Sequence, residues 1–160
     1  MQYWLFKSDS DCYSINDLQS ALNQTTSWDG VRNYQARNFM RDEMKIGDLG
    51  FFYHSGKLPE IAGIVKIVKE SYPDHTAQDP ENDHYDPSAT PENPRWYMVD
   101  VQLVRVFHPT IPRNLLRLQL ELSGMELLKA GSRLSIQPVS QEHFNIIIRL
   151  ADEIQKANAN

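Results

Sequence analysis

A chain of 160 residues, 41% of them apolar, is long enough for one domain with one sizeable hydrophobic core. Its formal net charge of −5 excludes binding to nucleic acid through bulk positive charge, because phosphate contacts require Lys or Arg. The single cysteine, Cys12, excludes an intramolecular disulfide and fits a reducing compartment. No basic segment precedes the N-terminal YWLF, no cleavage signal follows it, and no apolar run could span a bilayer, so we expect a cytoplasmic protein without a membrane partner.

Charge is distributed unevenly along the chain. Residues 31–45 hold four basic and two acidic side chains, whereas residues 72–95 hold six acidic side chains and one basic one. A local group of basic side chains can contact phosphates even when the whole chain is acidic. The net charge therefore leaves a nucleic-acid partner open.

The first predicted strand, QYWLFK at residues 2–7, is rich in aromatic and apolar side chains. Ser14 then opens an S-x-x-D pattern with Asp17, which predicts a capped helix start. A second helix is predicted from about residue 32 to residue 42, with Asp29 as its N-cap. Both segments carry apolar residues at helical spacing, so each helix is expected to bury one face.

The middle of the chain predicts two strands and a long loop. LGFFYH at 49–54 and IAGIVKIVK at 61–69 have strand composition, and the second is apolar on both faces, which favours a curled or helix-covered sheet. Residues 72–95 contain five of the nine prolines, and we expect an ordered loop there. Three aromatic side chains are expected to pin this loop to the body: Tyr72, Tyr85 and Trp96.

The last part of the chain alternates strands with helices. WYMVDVQLVRV at 96–106 predicts a strand, and a short helix is expected from Pro112 to residue 122. A short strand follows at 133–137, and Ser140 is expected to cap a C-terminal helix. The mixed order predicts an α+β fold with a mostly antiparallel, barrel-like sheet flanked by helices.

The stretch TTSWDGVRNYQARN, residues 25–38, concentrates aromatic, guanidinium and amide side chains. Trp28 precedes Asp29-Gly30, a turn dipeptide, so we expect it at a chain reversal. Two interpretations are open: a core tryptophan near a turn, or an aromatic wall on which a flat ligand stacks. Stacking one base on an aromatic ring stabilises binding by roughly 1–3 kcal/mol, enough to anchor a small pocket.

Arginine and asparagine side chains follow Trp28 closely. Arg32 and Arg37 are our candidates for phosphate contacts, because guanidinium groups bind phosphate oxygens well. The amide of Asn33 is suited to the edge of a base. Arg41 lies one helical turn from Arg37 and is interpreted as part of a solvated basic face.

Two other groups of residues invite a catalytic or metal-binding interpretation. YHSG at residues 53–56 lacks the G-x-S-x-G motif, and no acid and base are spaced to form a triad. We therefore predict that His54 and Ser55 hydrogen-bond a ligand or the turn. The acidic loop, residues 72–95, matches neither a calcium-binding loop nor a zinc signature. The chain also has no glycine-rich phosphate loop. We predict no metal and no cofactor.

Four blocks of the sequence resemble the EVE domain family, which belongs to the PUA-like superfamily and is similar to the YTH readers of methylated adenine. The resemblance runs from Tyr3 to Ile148, and the run WDGVRNYQARN is long and specific. Two departures affect the expected pocket shape: Ser10 replaces a proline of the family's K-S-E-P motif, and Gly50 replaces a bulkier strand residue. The four blocks are YWLFKSDSDCYSINDL, TTSWDGVRNYQARNFMRDEMKIGDLGFFYHS, YPDHTAQDPENDHYDPSATPENPRWYMVDV and RLSIQPVS.

The resemblance implies a PUA-like pseudobarrel formed by a single EVE domain over residues 1–160. It also implies that the domain reads a modified base in nucleic acid, typically a modified cytosine in DNA. The resemblance also implies that Arg32 and Arg37, the candidates for phosphate contacts, lie near the pocket. Seven residues are implied as base-binding: Lys7, Ser8, Trp28, Asn33, His54, Ser55 and Gln137.

These observations lead to one functional prediction and two alternatives. Trp28 is predicted to cover a base that has been flipped out of its stack, without catalysis, and modified DNA is favoured over RNA. The first alternative is an RNA-binding PUA-like module. The second is an enzyme that acts on a modified nucleotide, with His54 or a carboxylate of the acidic loop as general base.

Overall fold

The structure, a computed structural model, describes residues 1–159 and contains six strands and four α-helices in that range. A π-helical turn, Phe39–Glu43, extends the second helix. The strands are β1 (Tyr3–Asp9), β2 (Thr25–Ser27), β3 (Leu49–Ser55), β4 (Glu60–Pro73), β5 (Tyr97–Pro112) and β6 (Ile136–Val139). The helices are α1 (Ile15–Ser20), α2 (Tyr34–Asn38), α3 (Arg113–Arg117) and α4 (Gln141–Ala159).

All six strands belong to one mixed sheet with the order β2-β5-β4-β3-β1-β6. Only the β1–β3 pair is parallel; the other pairs are antiparallel. The register of β4 against β5 shifts at several points, which bends and twists the sheet. The prediction of a mostly antiparallel sheet flanked by helices is confirmed. The sheet is curled but not closed, because β2 and β6 stand at its two ends in the described residues.

Successive side chains of β1 point alternately into two hydrophobic cores on opposite faces of the sheet. Trp4 and Phe6 point into one core, which helices α1 and α2 cover, whereas Leu5 points into the other, which α3 and α4 cover. Gly50 is explained by this packing, because a Cβ there would lie 2.5 Å from a ring carbon of Phe6. The residue that departs from the family pattern thus makes room for a core phenylalanine.

Two predicted helix caps are confirmed. The Ser14 hydroxyl accepts the N–H of Asp17 at 3.2 Å, and the Asp17 carboxylate accepts the N–H of Ser14 at 2.8 Å, which completes a capping box. The Ser140 hydroxyl accepts the N–H of His143 at 3.0 Å at the start of α4. In both places a local hydrogen bond fixes where the helix begins.

The predicted start of the second helix is wrong. Asp29 does not cap it; the chain stays extended to Asn33, whose side-chain oxygen accepts the N–H of Ala36 at 2.9 Å. Gly30 has a φ of +78°, which turns the chain before the helix can begin. The Asn side chain offers the same kind of cap four residues later. The helix predicted after Pro112 is also shorter, and a 3₁₀ turn follows it.

Trp96 is the main anchor of the long loop between β4 and β5. The Trp96 indole donates to the Asp86 carboxylate at 2.7 Å and packs with two alanines of the loop. Hydrogen bonds from the Ser88 hydroxyl and the Trp96 indole lower the pKa of Asp86 to about 2. Tyr72 lies on β4 and donates to Asp100 at 2.5 Å. Tyr85, the third predicted anchor, is 40% exposed, and its anchoring role stays a prediction.

Candidate functional site

A pocket of about 590 Å³ opens between the end of β1 and the segment that begins with β2. Its volume lies within the range usual for small-molecule sites. Four separate parts of the chain meet there, so the pocket exists only in the folded protein. The end of β1 and the turn after it contribute Lys7, Ser8, Asp9, Cys12 and Tyr13; the segment from β2 to α2 contributes Thr26, Ser27, Trp28, Asp29, Gly30, Val31, Arg32 and Asn33; His84 and Ser135 complete the wall.

Trp28 is both a core residue and a wall of the pocket. Its side chain is 7% exposed, and its ring lies edge-on to Phe6 at 5.1 Å and to Phe52 at 5.4 Å between centroids. Its backbone N–H donates to the carbonyl of Val99 at 2.8 Å, which ties the segment to β5. One part of the indole packs inward and the remainder faces the pocket, so the core interpretation is confirmed and the stacking interpretation stays a prediction.

Arg32 fastens the long loop to the body of the protein. Its five N–H groups are all engaged: they reach the carboxylate of Asp74 at 2.9 Å, the hydroxyl of Thr76 at 3.2 Å, the carbonyl of Val31, and the carbonyl of His84 twice. No N–H of this guanidinium remains for a phosphate. The predicted phosphate contact of Arg32 is therefore corrected to a structural role beneath the pocket wall.

The carboxylate of Asp74 is the centre of this attachment. It is fully buried and accepts four hydrogen bonds, from the N–H of Gly30, from Arg32, and from both the N–H and the hydroxyl of Thr76. Burial alone would raise the pKa of Asp74, but the hydrogen bonds from Thr76, Gly30 and Arg32 hold that pKa below its usual value. The pocket wall thus depends on an ionised, buried carboxylate.

His84 covers Gly30 at the rim of the pocket. A Cβ on Gly30 would lie 2.7 Å from the Nε2 atom of His84, so only a glycine allows this approach. The positive φ of Gly30 points to the same requirement. The turn dipeptide read in the sequence therefore has two functions: it reverses the chain after Trp28, and it admits a side chain of the long loop to the site.

Three other predicted base-binding residues lie at the pocket. The Ser8 hydroxyl donates to the carbonyl of Tyr13 at 2.6 Å, and its lone pairs stay available as acceptors. The oxygen of Asn33 caps α2, which leaves its NH₂ group to donate. Desolvation, followed by the nearby charge of Arg113, lowers the pKa of Lys7, and its ammonium lies 5.9 Å from the ring centre of Tyr53.

His54 and Ser55 lie outside the pocket, contrary to their predicted role. His54 is buried, its Nε2 accepts the N–H of Ile15 at 3.0 Å, and its Nδ1 lies 2.8 Å from the carboxylate of Glu60. Because Nε2 accepts a backbone N–H, Nδ1 is the ring nitrogen that donates to the Glu60 carboxylate. His54 therefore holds the start of α1, and Ser55 pairs with Asp9 at the end of β3.

Gln137 and Arg37 also lie away from the pocket lining. Gln137 is fully buried on β6 opposite Leu5, and its amide donates to the carbonyl of Leu134 at 2.9 Å. Arg37 donates to the carbonyl of Arg95 and to the side chain of Asn38, and its guanidinium lies over two aromatic rings. Of the nine predicted site residues, five line the pocket: Lys7, Ser8, Trp28, Arg32 and Asn33.

Sequence reasoning missed several residues that line the pocket. The sequence assigns Asp29 only to a helix cap and places His84 only in the loop at residues 72–95, although both lie at the site. Their neighbours in the sequence gave a partial signal, because Asp29 follows the candidate tryptophan directly. The other missed residues are Asp9, Cys12, Tyr13, Thr26, Ser27, Gly30, Val31 and Ser135.

Residues 1–159 contain neither a metal-ligand cluster nor a membrane-spanning helix. No group of three or more His, Cys, Asp or Glu side chains in that range is arranged to hold a metal ion. No helix in the same range is long and apolar enough to cross a membrane.

An open mixed sheet with helices on both faces and an indole-walled pocket at the end of its strands defines a ligand-binding domain of the PUA-like class. The model of the EVE domain family matches residues 2–150, and the chain belongs to that family. The resemblance drawn from the sequence is confirmed.

Relatives and solved structures agree with this assignment. Thymocyte nuclear protein 1 of Homo sapiens is 47% identical over 169 residues, which cover 94% of this chain and 74% of the human protein. The crystal structure of human THYN1 in complex with 5-methylcytosine-containing DNA has a TM-score of 0.90 and 47% identity, and the match covers 94% of this chain and 98% of that one. A protein of Pseudomonas syringae has a TM-score of 0.88 and 47% identity, with 93% and 99% covered.

Proposed function

We propose that this protein is a non-catalytic reader of a modified cytosine in DNA, which it binds as a flipped base stacked on Trp28. One observation carries the proposal: a pocket with an aromatic wall lies in a chain 47% identical to a human protein whose structure holds 5-methylcytosine-containing DNA. A base inside a duplex cannot reach such a pocket, so the nucleotide must leave its stack.

The energetics fit a pocket that selects among bases. Extruding a paired base costs a few kcal/mol, and stacking on an indole returns about 1–3 kcal/mol. Hydrogen bonds to the base edge add roughly 0.5–1.5 kcal/mol each. Because these terms nearly balance, the added contact of a modified base can decide whether the flipped state is populated.

The residues available for this binding follow from the geometry. We propose that the Asn33 amide donates to the base edge and that the Ser8 hydroxyl accepts from it. Arg37 uses three of its five N–H groups within the protein and keeps two for a phosphate. Arg32 is not among the proposed phosphate contacts, because all five of its N–H groups bond within the protein.

A cytoplasmic location stays a prediction.

The enzyme alternative loses its main candidate residue. Both ring nitrogens of His54 are engaged, and the ring is buried outside the pocket. A general base must reach the proton that it removes, directly or through one water. The geometry of His54 therefore supports reading and not turnover.

The proposal predicts a measurable preference among matched oligonucleotides. Burying one added methyl group stabilises binding by about 0.8 kcal/mol, so 5-methylcytosine should be favoured over cytosine by about fourfold. Fluorescence polarisation at fixed salt, with duplexes that differ only in the modification, measures this ratio. Equal affinity for both duplexes would overturn the proposal, and a preference for RNA with methylated adenine would favour the RNA-binding alternative.

Cys12 offers a test of where the ligand binds without changing the protein. This cysteine is the only one in the chain, it is exposed, and it lines the pocket. We expect its alkylation by iodoacetamide to slow about tenfold when the DNA is present at ten times its Kd, because the free fraction falls by that factor.

A matched control moves the thiol away from the site. In the variant Cys12→Ser, Ser123→Cys, the thiol lies in the turn before the 3₁₀ segment Glu126–Leu128, outside the pocket lining. DNA should leave its alkylation rate unchanged. Unprotected Cys12 in the presence of bound DNA would show that the ligand occupies another surface.

A further inference from the structure

Two carboxylates near the pocket differ in how many hydrogen bonds they accept from the protein. Asp74 accepts four, so its acceptor capacity is used within the fold. Asp29 lines the pocket directly, and no hydrogen bond from residues 1–159 reaches its carboxylate. The Asn33 oxygen caps α2 in its place. Asp29 is therefore an acceptor that the fold positions but does not use.

The surroundings of Asp29 favour a hydrogen bond from a ligand. It lies between Trp28, the aromatic wall, and Gly30, the turn against which His84 packs. Desolvation, followed by the negative charge of Asp74, raises the pKa of Asp29. The Asp29 side chain is exposed at the pocket, so a donor on a bound ligand can reach its carboxylate directly.

The chemistry of pyrimidines shows what such an acceptor could distinguish. Thymine and 5-methylcytosine carry the same 5-methyl group and stack alike on an indole. They differ at position 4, where cytosine has an amino donor and thymine a carbonyl acceptor. A carboxylate opposite position 4 binds the amino group and repels the carbonyl, so it separates two bases that stacking alone cannot.

We propose that Asp29 is a specificity-determining residue, which accepts a hydrogen bond from the exocyclic 4-amino group of the pyrimidine stacked on Trp28 and thereby rejects thymine. This inference rests on the proposed function. It assigns to Asp29 the discrimination that any reader of a 5-methylated cytosine in DNA needs, because every thymine of the genome presents the same methyl group.

The test compares Asp29→Asn with the wild-type protein on single-stranded oligonucleotides, where no base pair has to open. The oligonucleotides differ only at one position, which holds 5-methylcytosine, cytosine or thymine. Wild type should prefer 5-methylcytosine to thymine by about tenfold or more, as expected for one specific base-edge contact. In Asp29→Asn the amide can donate to the thymine carbonyl, so the ratio should fall by about tenfold.

Asp9→Asn is the matched control for charge. Asp9 also lines the pocket, and the change removes the same negative charge from the same surface. It should alter the affinity for all three oligonucleotides alike and leave their ratios unchanged. Both variants should keep the wild-type circular dichroism spectrum, because the Asp29 and Asp9 side chains are exposed.

The two possible failures have different readouts. If wild type prefers 5-methylcytosine to thymine and Asp29→Asn keeps the same ratio, the assignment of Asp29 is overturned and the proposed function stands. If wild type does not distinguish 5-methylcytosine from cytosine, the proposed function fails on the wild-type data alone, and this inference fails with it.

Discussion

Replacing Trp28 by Leu is expected to weaken binding to 5-methylcytosine DNA by about 5- to 150-fold, the equivalent of the roughly 1–3 kcal/mol of one base stacked on an aromatic ring. The same change should lower the free energy of unfolding by roughly 2–3 kcal/mol, because Trp28 is 7% exposed and packs against Phe6 and Phe52. Urea unfolding and fluorescence polarisation measure the two effects separately.

Phe52→Leu separates the core role of Trp28 from its role in the pocket. Phe52 is fully buried, lies edge-on to Trp28 at 5.4 Å, and does not line the pocket. It should lose stability to a similar degree while it binds within about twofold of wild type, since its contact with the base is indirect. Equal losses of binding in the two variants would show that Trp28 acts only through the core.

Burial of Trp28 changes how the variant experiment must be designed. If Trp28 lay only at a surface turn, truncation to Ala would leave the fold largely intact. In the structure the indole belongs to the core beneath the sheet, so Trp28→Ala would cost about 3–5 kcal/mol and leave binding losses ambiguous. Leucine fills part of the cavity and removes the stacking plane, which makes it the more informative substitution.

The strands and helix caps could be predicted because their signals are local. The capping box of Ser14 and the cap of Ser140 involve residues three positions apart, so the sequence contains the whole interaction. Asp29 failed as a cap because Asn33 competes for the same role, and the choice between them depends on the turn at Gly30. A three-residue strand such as β2 also escapes prediction, because it is defined by its pairing with β5.

Residues of the candidate site were predicted where the chain itself brings them together. Trp28 and Asn33 lie within one stretch, and the structure places both at the pocket. Arg32 lies at the pocket, but its guanidinium bonds with remote residues of the protein. His54 and Gln137 lie outside the pocket lining, because the sheet buries both side chains. Arg32 bonds with residues 42 to 52 positions away, a distance at which no sequence pattern indicates the partner.

The negative charge of the acidic loop and of the whole chain fits a reader whose affinity comes mainly from the base and not from the phosphate backbone. Carboxylates near the pocket repel the DNA backbone, so phosphate contacts alone give weak binding. His84 and Asp74 show that the loop nevertheless builds the wall of the pocket. Affinity for DNA should therefore depend on occupation of the pocket. Because the loop supplies His84 to the pocket lining, binding should require that the loop stays attached.

Removing the Asp74 carboxylate should have the second large effect. Asp74→Ala leaves the Arg32 guanidinium, the Gly30 N–H and the Thr76 hydroxyl without their shared acceptor. Breaking a buried ion pair on one side costs about 3–5 kcal/mol, so the midpoint of urea unfolding should fall markedly. Amides of residues 74–96 should exchange faster by mass spectrometry, and binding should weaken as His84 leaves the wall.

Asp79→Asn serves as the control, because Asp79 is an exposed acid of the same loop whose side chain accepts only the N–H of Glu81. Its effect on stability should stay within about 0.5 kcal/mol. Wild-type exchange rates for residues 74–96 in Asp74→Ala would contradict the role of Asp74 in holding the loop.

The pH dependence of stability gives an independent measure of the same carboxylate. The folded-state pKa of Asp74 is lowered, so the unfolded chain binds more protons between that pKa and the unfolded value of about 3.9. Its contribution is therefore complete above about pH 4–5 and is lost as the pH falls through the folded pKa. Asp74→Ala should lack this part of the acid-induced loss, so the difference in unfolding free energy between the two proteins should narrow as the pH falls below about 4. A difference that stays constant down to pH 2 would show that Asp74 does not stabilise the loop through its ionised form.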